Sequence, residues 1–206
     1  MTVLLVITPL IVPLVITVMI VIVAMCGDKL LTKVDHHGIK AIIDSTTHGS
    51  VALFSWAVVV FNSNSIHDLK VFHCAEILGC GAIASLIDVD HFLAARSFRL
   101  QDALQLSRRP PFHSSSLLIL VFFSLYLSAK VFKSSMLNQM GWIILVAGGS
   151  HHLRDAVRRG LWFPPFGSTP PLHQIIYLVS LAFFPHIVAF LMPNVLLPKK
   201  TRYITV

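Results

Sequence analysis

The chain has 206 residues, of which 55% are hydrophobic and 12% charged, and this balance excludes an ordinary soluble globular domain. Its mean hydropathy of +0.79 indicates an integral membrane protein. The formal net charge of +7 does not indicate nucleic-acid binding, because the basic residues are spread over short loops and not gathered on one helix face. We therefore expect the lipid bilayer, and no nucleic acid, as a partner.

The hydrophobic residues fall into runs long enough to cross a hydrocarbon core, which needs about 20 helical residues. These runs predict an all-α polytopic membrane protein, with one bundle of about six transmembrane helices in a single domain over residues 1–206. The first run carries no charge and lacks the basic start of a cleaved signal peptide, so we interpret it as a true span. The predicted spans lie near residues 2–25, 41–61, 71–95, 112–131, 137–157 and 172–192.

The three cysteines, Cys26, Cys74 and Cys80, are an odd number and form no CxxC pair. This pattern argues against a disulfide framework and against a thiolate zinc site. The simplest interpretation is that all three are buried apolar side chains.

The basic residues in the loops predict an orientation in the membrane. If the helices alternate, the richer side holds Lys29, Lys33, Lys40, Arg96, Arg99, Arg108, Arg109, Arg158 and Arg159. The other side holds Lys70, Lys130, Lys133, Lys199, Lys200 and Arg202. The richer side is predicted to be cytoplasmic, with both termini on the opposite side.

Four of the predicted helices carry acidic and imidazole side chains at their ends on that richer side. They are Asp44 and His48 in the second helix, Asp88, Asp90 and His91 at the end of the third, His113 at the start of the fourth, and His151 and Asp155 near the end of the fifth. Ionisable groups at the edge of the hydrocarbon are costly unless they are paired, hydrated or bound to a metal. Spacings of three or four residues place the members of each local pair on one helix face.

This convergence favours a metal-binding or proton-handling site over inert polar packing between helices. Carboxylate oxygen and neutral imidazole nitrogen are suitable ligands for a divalent metal ion such as zinc, manganese or magnesium. On a regular helix Asp90 points away from Asp88 and His91, so it is either a ligand reached through a frayed helix end or an acceptor that holds an imidazole.

The segments that carry these residues resemble the YdjM-like family of membrane-bound metal-dependent hydrolases. The similar segments are Thr47-His48, Asp88-Val89-Asp90-His91, Arg108-Arg109-Pro110-Pro111-Phe112-His113-Ser114, His151 to Asp155, and Gly160-Leu161-Trp162-Phe163-Pro164-Pro165-Phe166. At a finer level, residues 55–59 and 84–92 resemble a family of animal multi-pass membrane proteins. One departure is Arg108, which stands where the hydrolase family usually has histidine, so a cation replaces one expected imidazole.

The resemblance implies a metal-dependent hydrolase whose site opens near the membrane surface. The metal ligands expected on this basis are His48, Asp88, His91, His113, His151 and Asp155, and the expected catalytic residues are Asp90 and Arg109. A lipid or other phosphoester substrate is predicted, because guanidinium groups bind phosphate in a bidentate manner.

Two other hypotheses remain open from the sequence. Chains of Asp and His inside a bundle also serve proton or metal transporters, and the Arg108 departure suits a non-catalytic membrane scaffold that retains an ancestral metal site. The segment Arg96–Ser107 is either a short interfacial helix at the mouth of the site or a plain loop.

Overall fold

The computed structural model describes residues 2–63 and 70–192, and most of these residues are helical. The elements are α1 (Thr2–Lys33), α2 (His37–Ser63), α3 (Val71–Leu86), α4 (Val89–Ala95), α5 (Leu100–Leu104), a 3-10 turn (Pro111–His113), α6 (Ser115–Val131), α7 (Ser135–Arg159), strands β1 (Trp162–Phe163) and β2 (Gly167–Ser168), and α8 (Gln174–Leu191). The predicted all-α membrane class is confirmed. The basic residues Lys199, Lys200 and Arg202, which entered the orientation argument, lie outside the described residues.

Three segments are long and apolar enough to cross a membrane, namely Ile11–Lys33, Val71–Ala95 and Gln174–Leu191. Helix α6 is apolar but shorter, with 17 residues. Helices α2 and α7 have 27 and 25 residues, and they carry much of the polar cluster. The count of six spans therefore remains a prediction.

The third predicted span is broken near its end, which corrects the expectation of one continuous helix over residues 71–95. Ile87 and Asp88 form a turn between α3 and α4, where the amide of Asp90 donates to the carbonyl of Ile87 at 3.1 Å. Asp side chains favour such local departures from the helical hydrogen-bond pattern. The break directs Asp90 into the protein, where only 1% of its surface is exposed.

Helices α2 and α7 occupy the centre of the bundle. Helix α2 packs on α1, α3, α7 and α8, and α7 packs on α2, α3, α6 and α8. One apolar cluster surrounds Trp56 and Trp142 between α2, α3, α6, α7 and α8. A second cluster joins α1, α2 and α8 around Val58 and Tyr177.

Small residues allow α2 and α3 to approach closely. A Cβ atom on Gly81 would lie 2.9 Å from the carbonyl oxygen of Gly49. One turn further along, Ser85 Oγ donates to the carbonyl of Ser45 at 2.9 Å, and Ser45 Oγ donates back to Ser85 at 3.3 Å. Close backbone approach through small residues is typical of helix pairs in membranes, and here it brings His48 beside the end of α3.

The loops at the polar end are also ordered. The segment Arg96–Ser107 contains α5, so its helical interpretation is confirmed over Leu100–Leu104. The Pro-rich segment after α7 forms the β1–β2 hairpin, and Trp162 of β1 pairs with Ser114 at the start of α6.

The interpretation of all three cysteines as buried was wrong for two of them. Cys80 is buried in the core, whereas Cys26 and Cys74 are exposed. Hydrophobicity places a residue in a membrane helix but does not determine which face of that helix meets another helix.

Candidate metal centre

Four ligand atoms from distant parts of the chain meet at one point in the described structure. His113 Nε2 lies 3.3 Å from His151 Nε2, 3.3 Å from Asp88 Oδ1 and 3.4 Å from Asp155 Oδ2. His151 Nε2 lies 3.6 Å from each of the same two carboxylate oxygens. A tetrahedral zinc ion with bonds of about 2.0–2.1 Å has ligand atoms separated by about 3.4 Å. These four atoms therefore fit around one tetrahedral divalent ion.

Each of the four side chains is positioned by a different feature of local structure. Asp88 lies in the turn that breaks α3 from α4, and His113 ends the 3-10 turn that precedes α6. His151 and Asp155 lie four residues apart on one face of α7. Asp90 also steadies the approach to His113, because its carboxylate accepts a hydrogen bond from the amide of Phe112 at 2.8 Å.

Neighbouring groups orient the ligand atoms toward the centre. His151 Nδ1 lies 3.0 Å from the carbonyl oxygen of Ala84, so this nitrogen carries the proton and Nε2 is left as the lone-pair donor. Asp90 Oδ2 lies 3.4 Å from His113 Nδ1, in the carboxylate–histidine arrangement common behind metal ligands. Arg158 donates to Asp155 Oδ1 at 2.6 Å, leaving Oδ2 for the centre.

The other two predicted ligands, His48 and His91, flank this centre. The His48 ring stacks on His151 with centroids 3.8 Å apart, and its Nε2 lies 3.4 Å from Asp155 Oδ1. His48 Nδ1 is buried and has no hydrogen-bond partner within the described residues. His91 Nδ1 lies 3.1 Å from Asp90 Oδ1. The structure thus gathers all six predicted ligands into two overlapping groups, His48–His151–Asp155 and Asp88–His91–His113.

A cavity of about 180 Å³ opens from the cluster. Asp88, His113 and Asp155 form part of its wall, and Arg109, Arg158 and Arg159 bring positive charge to the opposite part. Trp162 and Leu161 from the hairpin region close one side. The cavity therefore presents ligand atoms and guanidinium groups to the same small volume.

The two predicted catalytic residues occupy different positions. Asp90 lies behind His113 and is not part of the cavity wall, so its placement favours positioning of His113 over direct contact with a substrate. Arg109 lines the cavity, but it also donates through Nη1 to the carbonyl of Gly160 at 3.0 Å and through Nη2 to that of Arg159. Arg108 is exposed and is not part of the cavity wall, so its charge does not replace a ligand there.

Carboxylates dominate the electrostatics of His113, which lies in the turn ahead of α6. Burial disfavours its charged form, but hydrogen bonds to Asp155, Asp88 and Asp90 outweigh burial and raise the pKa of His113 to about 11. The metal-free site therefore holds a proton at the position where a metal ion would bind.

An ion-pair network supports the cluster from the side of α1 and α2. Arg154, which is 2% exposed, pairs with Asp44 and, at 3.0 Å, with Asp28. Arg158 donates to Asp44 at 2.9 Å as well as to Asp155. Asp44 therefore faces two guanidinium groups, which distinguishes it from the carboxylates of the centre.

Sequence reasoning did not assign roles to Arg158, Arg159 or Trp162. The spacing of three residues between Asp155 and Arg158 was a usable signal for their ion pair. His152 was left undecided, and the structure places its Nε2 2.8 Å from the carbonyl oxygen of Phe112. The contact of Trp162 with this region depends on the fold of the hairpin, for which no local pattern gives a signal.

The fold and the cluster together define a helical membrane protein with a His/Asp group arranged like a divalent-metal centre. Comparison with known proteins identifies its family. The chain is 43% identical over 155 residues to transmembrane protein 267 of Mus musculus, which covers 75% of this chain and 69% of the relative. It is 37% identical over 171 residues to the Danio rerio protein of that name, covering 81% and 74%. It is 35% identical over 158 residues to the Xenopus laevis protein, covering 76% and 71%.

The chain therefore belongs to the transmembrane protein 267 family. No protein-family model and no solved structure matches it. The finer resemblance to animal multi-pass proteins is thus confirmed, whereas the resemblance to the YdjM-like hydrolases has no support from these comparisons.

Proposed function

We propose that this protein is a divalent-metal-dependent membrane hydrolase that acts on phosphoesters. The observation that carries the proposal is the near-tetrahedral spacing of four ligand atoms, 3.3–3.6 Å apart, on the wall of a cavity lined by three arginines. Zinc fits this spacing best, and manganese or magnesium are the alternatives that its carboxylates accept.

In the proposed catalytic arrangement three side chains, His113, His151 and Asp155, hold the ion. A bound divalent ion lowers the pKa of a coordinated water to about 7 and polarises the scissile group. Asp88 then lies next to the fourth tetrahedral position and accepts the proton of the attacking water as general base. Its placement on the cavity wall makes Asp88 a better candidate for this role than the buried Asp90.

The arginines determine the proposed substrate class. Guanidinium groups bind phosphate oxygens in a planar, bidentate manner, and Arg109, Arg158 and Arg159 share the cavity with the ligand atoms. Arg158 keeps Asp155 oriented through one of its amino groups, while its remaining N–H groups are suited to an anionic substrate.

A second candidate function is a structural metal site in a non-catalytic scaffold. The observation that favours it is the position of Asp88 Oδ1 at the fourth vertex of the tetrahedron, because closed four-ligand sites are typical of structural zinc. The two candidates predict different behaviour for Asp88.

The experiment measures bound metal and phosphodiester and phosphomonoester hydrolysis in purified protein, comparing wild type with three variants. We expect the His113→Ala/Asp155→Ala double variant to lose the metal, and the exposed control His37→Ala to keep it. Asp88→Asn is expected to keep most of the metal and lose more than about 100-fold in turnover, since general-base catalysis contributes about 10²–10⁴-fold.

Each result has a distinct meaning. Equal and negligible metal in wild type and in the double variant would remove both candidates. Loss of metal in Asp88→Asn, with no substrate turned over by wild type, would leave the structural site and exclude the hydrolase.

A further inference from the structure

An apolar groove runs along the outside of the bundle up to the metal centre. Its floor is one face of α7, formed by Ile144, Gly148 and His152 at intervals of four residues. Helices α3 and α6 both pack on α7, and their side chains, including Ile87 and Val121, form its walls. The groove has a volume of about 170 Å³, and its floor extends about 12 Å along the helix axis.

The groove and the arginine-lined cavity are continuous at His152. This side chain lines both spaces, and Phe112 lines the groove while the next residue, His113, lines the cavity. His152 is held in place by the carbonyl of Phe112 at 2.8 Å and by Ser115 Oγ at 3.3 Å. A single elongated molecule can therefore reach both spaces at once.

The two spaces have opposite chemistry. The groove is lined by aliphatic and aromatic side chains apart from His152, whereas the cavity carries three guanidinium groups beside the ligand atoms. An apolar channel that ends at a cationic site is complementary to an amphiphile with an acyl chain and an anionic phosphate head.

We infer that the substrate is a phosphate-bearing amphiphile, with its acyl chain in the groove between α3 and α6 and its phosphate in the cavity at the metal centre. This inference rests on the proposed function and names the substrate class of the same site. The chain contributes affinity through burial of its apolar surface, and the floor of α7 aligns the phosphate with His113 and Asp155.

The test is a binding experiment on the purified full-length protein, loaded with zinc, in phosphatidylcholine nanodiscs. Dodecylphosphonate, which cannot be hydrolysed at its P–C bond, is the amphiphilic probe. Ethylphosphonate is the matched probe with the same head and a short chain, and dodecanol is the matched chain without phosphate. Val121→Trp fills the groove, and Leu120→Trp, on the neighbouring lipid-exposed position of α6, is the control for folding and bilayer partition.

We expect Val121→Trp to weaken dodecylphosphonate binding by about tenfold or more and to leave ethylphosphonate binding and metal content unchanged. Leu120→Trp should change none of these quantities. Equal dodecylphosphonate affinity in both variants, or displacement of the probe by dodecanol as effective as by unlabelled dodecylphosphonate, would overturn the inference.

Failure of the proposed function gives a different pattern. If dodecylphosphonate binding depends on Val121 but dodecyl phosphate is never hydrolysed, the hydrolase proposal fails and the amphiphile site stands. If ethyl and dodecyl phosphate are hydrolysed at equal rates in wild type and Val121→Trp, the hydrolase stands and the groove is not part of its site.

Discussion

Asp90 and Asp88 are two residues apart, yet the structure gives them different surroundings. Asp88 lines the cavity, whereas Asp90 is buried and divides its carboxylate between the Phe112 amide, His113 and His91. A carboxylate behind a metal-ligating histidine fixes the orientation of the ring and raises its basicity as a ligand. At this scale the cluster separates into groups that face the ion and groups that hold them.

Asp90→Asn is expected to weaken metal binding by about 10–100-fold without abolishing it, the usual effect of removing such a partner. The measurement is zinc affinity by competition with a chromophoric chelator. Asp35→Asn, at an exposed loop position, is the matched control and should leave the affinity unchanged. An effect of Asp90→Asn as large as that of His113→Ala would show instead that Asp90 is itself a ligand.

The protonation of His113 predicts how metal binding depends on pH. Its pKa is raised to about 11, so between about pH 6 and pH 8 the metal-free ring is charged and the ion must displace one proton. Affinity should therefore increase by about tenfold for each unit of rising pH in this range. Zinc titrations at three pH values check the slope, and an affinity independent of pH would contradict the assignment of His113 as a ligand.

At the scale of elements, the centre depends on how α2, α3 and α7 are spaced. The approach of α2 and α3 at Gly49 and Gly81 leaves no room for a further carbon, and the turn carrying Asp88 follows directly from α3. The ion pairs of Arg154 with Asp28 and Asp44 connect α7 to α1 and α2. Helix spacing and ligand position are therefore parts of the same packing arrangement.

Gly81→Ala is expected to destabilise the protein by about 1–3 kcal/mol, the usual cost of overpacking, because its Cβ would lie 2.9 Å from a backbone oxygen of α2. Gly79→Ala is the control on the same helix, since a Cβ there meets nothing within 4 Å. Thermal unfolding in detergent measures both. If the two variants unfold at the same temperature, the close approach of α2 and α3 does not contribute to stability.

For the whole molecule, the four ligand atoms of the centre join α7 to the α3–α4 turn and to the segment that leads into α6. A ligand that binds only the folded state stabilises it by about 2.7 kcal/mol at 100 times its Kd. Removal of the metal with a chelator should therefore lower the unfolding temperature of wild type and have little effect on the His113→Ala/Asp155→Ala variant. An equal decrease in both proteins would assign the effect to the chelator and not to this centre.

The orientation of the whole protein remains a prediction from the basic loops, which include Arg158 and Arg159 next to the cavity. The positive-inside rule predicts that this polar end faces the cytoplasm. In sealed microsomes, a protease site inserted in the exposed loop at Asp35 should be cleaved without detergent. Protection of that site until detergent is added would reverse the orientation.

The sequence by itself determined the membrane class and the approximate positions of the helices, because hydropathy and helical spacing are local properties of the chain. It also predicted that the acidic and imidazole groups share one end, since alternation of helices fixes which ends lie together. The break at Ile87-Asp88, by contrast, was not predicted, because an apolar run does not reveal where local hydrogen bonds of Asp outweigh the helix.

Only the tertiary structure decided which atoms share a centre. The near-tetrahedral grouping of Asp88, His113, His151 and Asp155 depends on the rotation and axial shift of α7 against α3, which side-chain packing and the Gly49–Gly81 approach determine. The exposure of Arg108 and the groove that meets the cavity at His152 have the same origin. Distances between helices arise from contacts across more than sixty positions of sequence, and no local pattern encodes them.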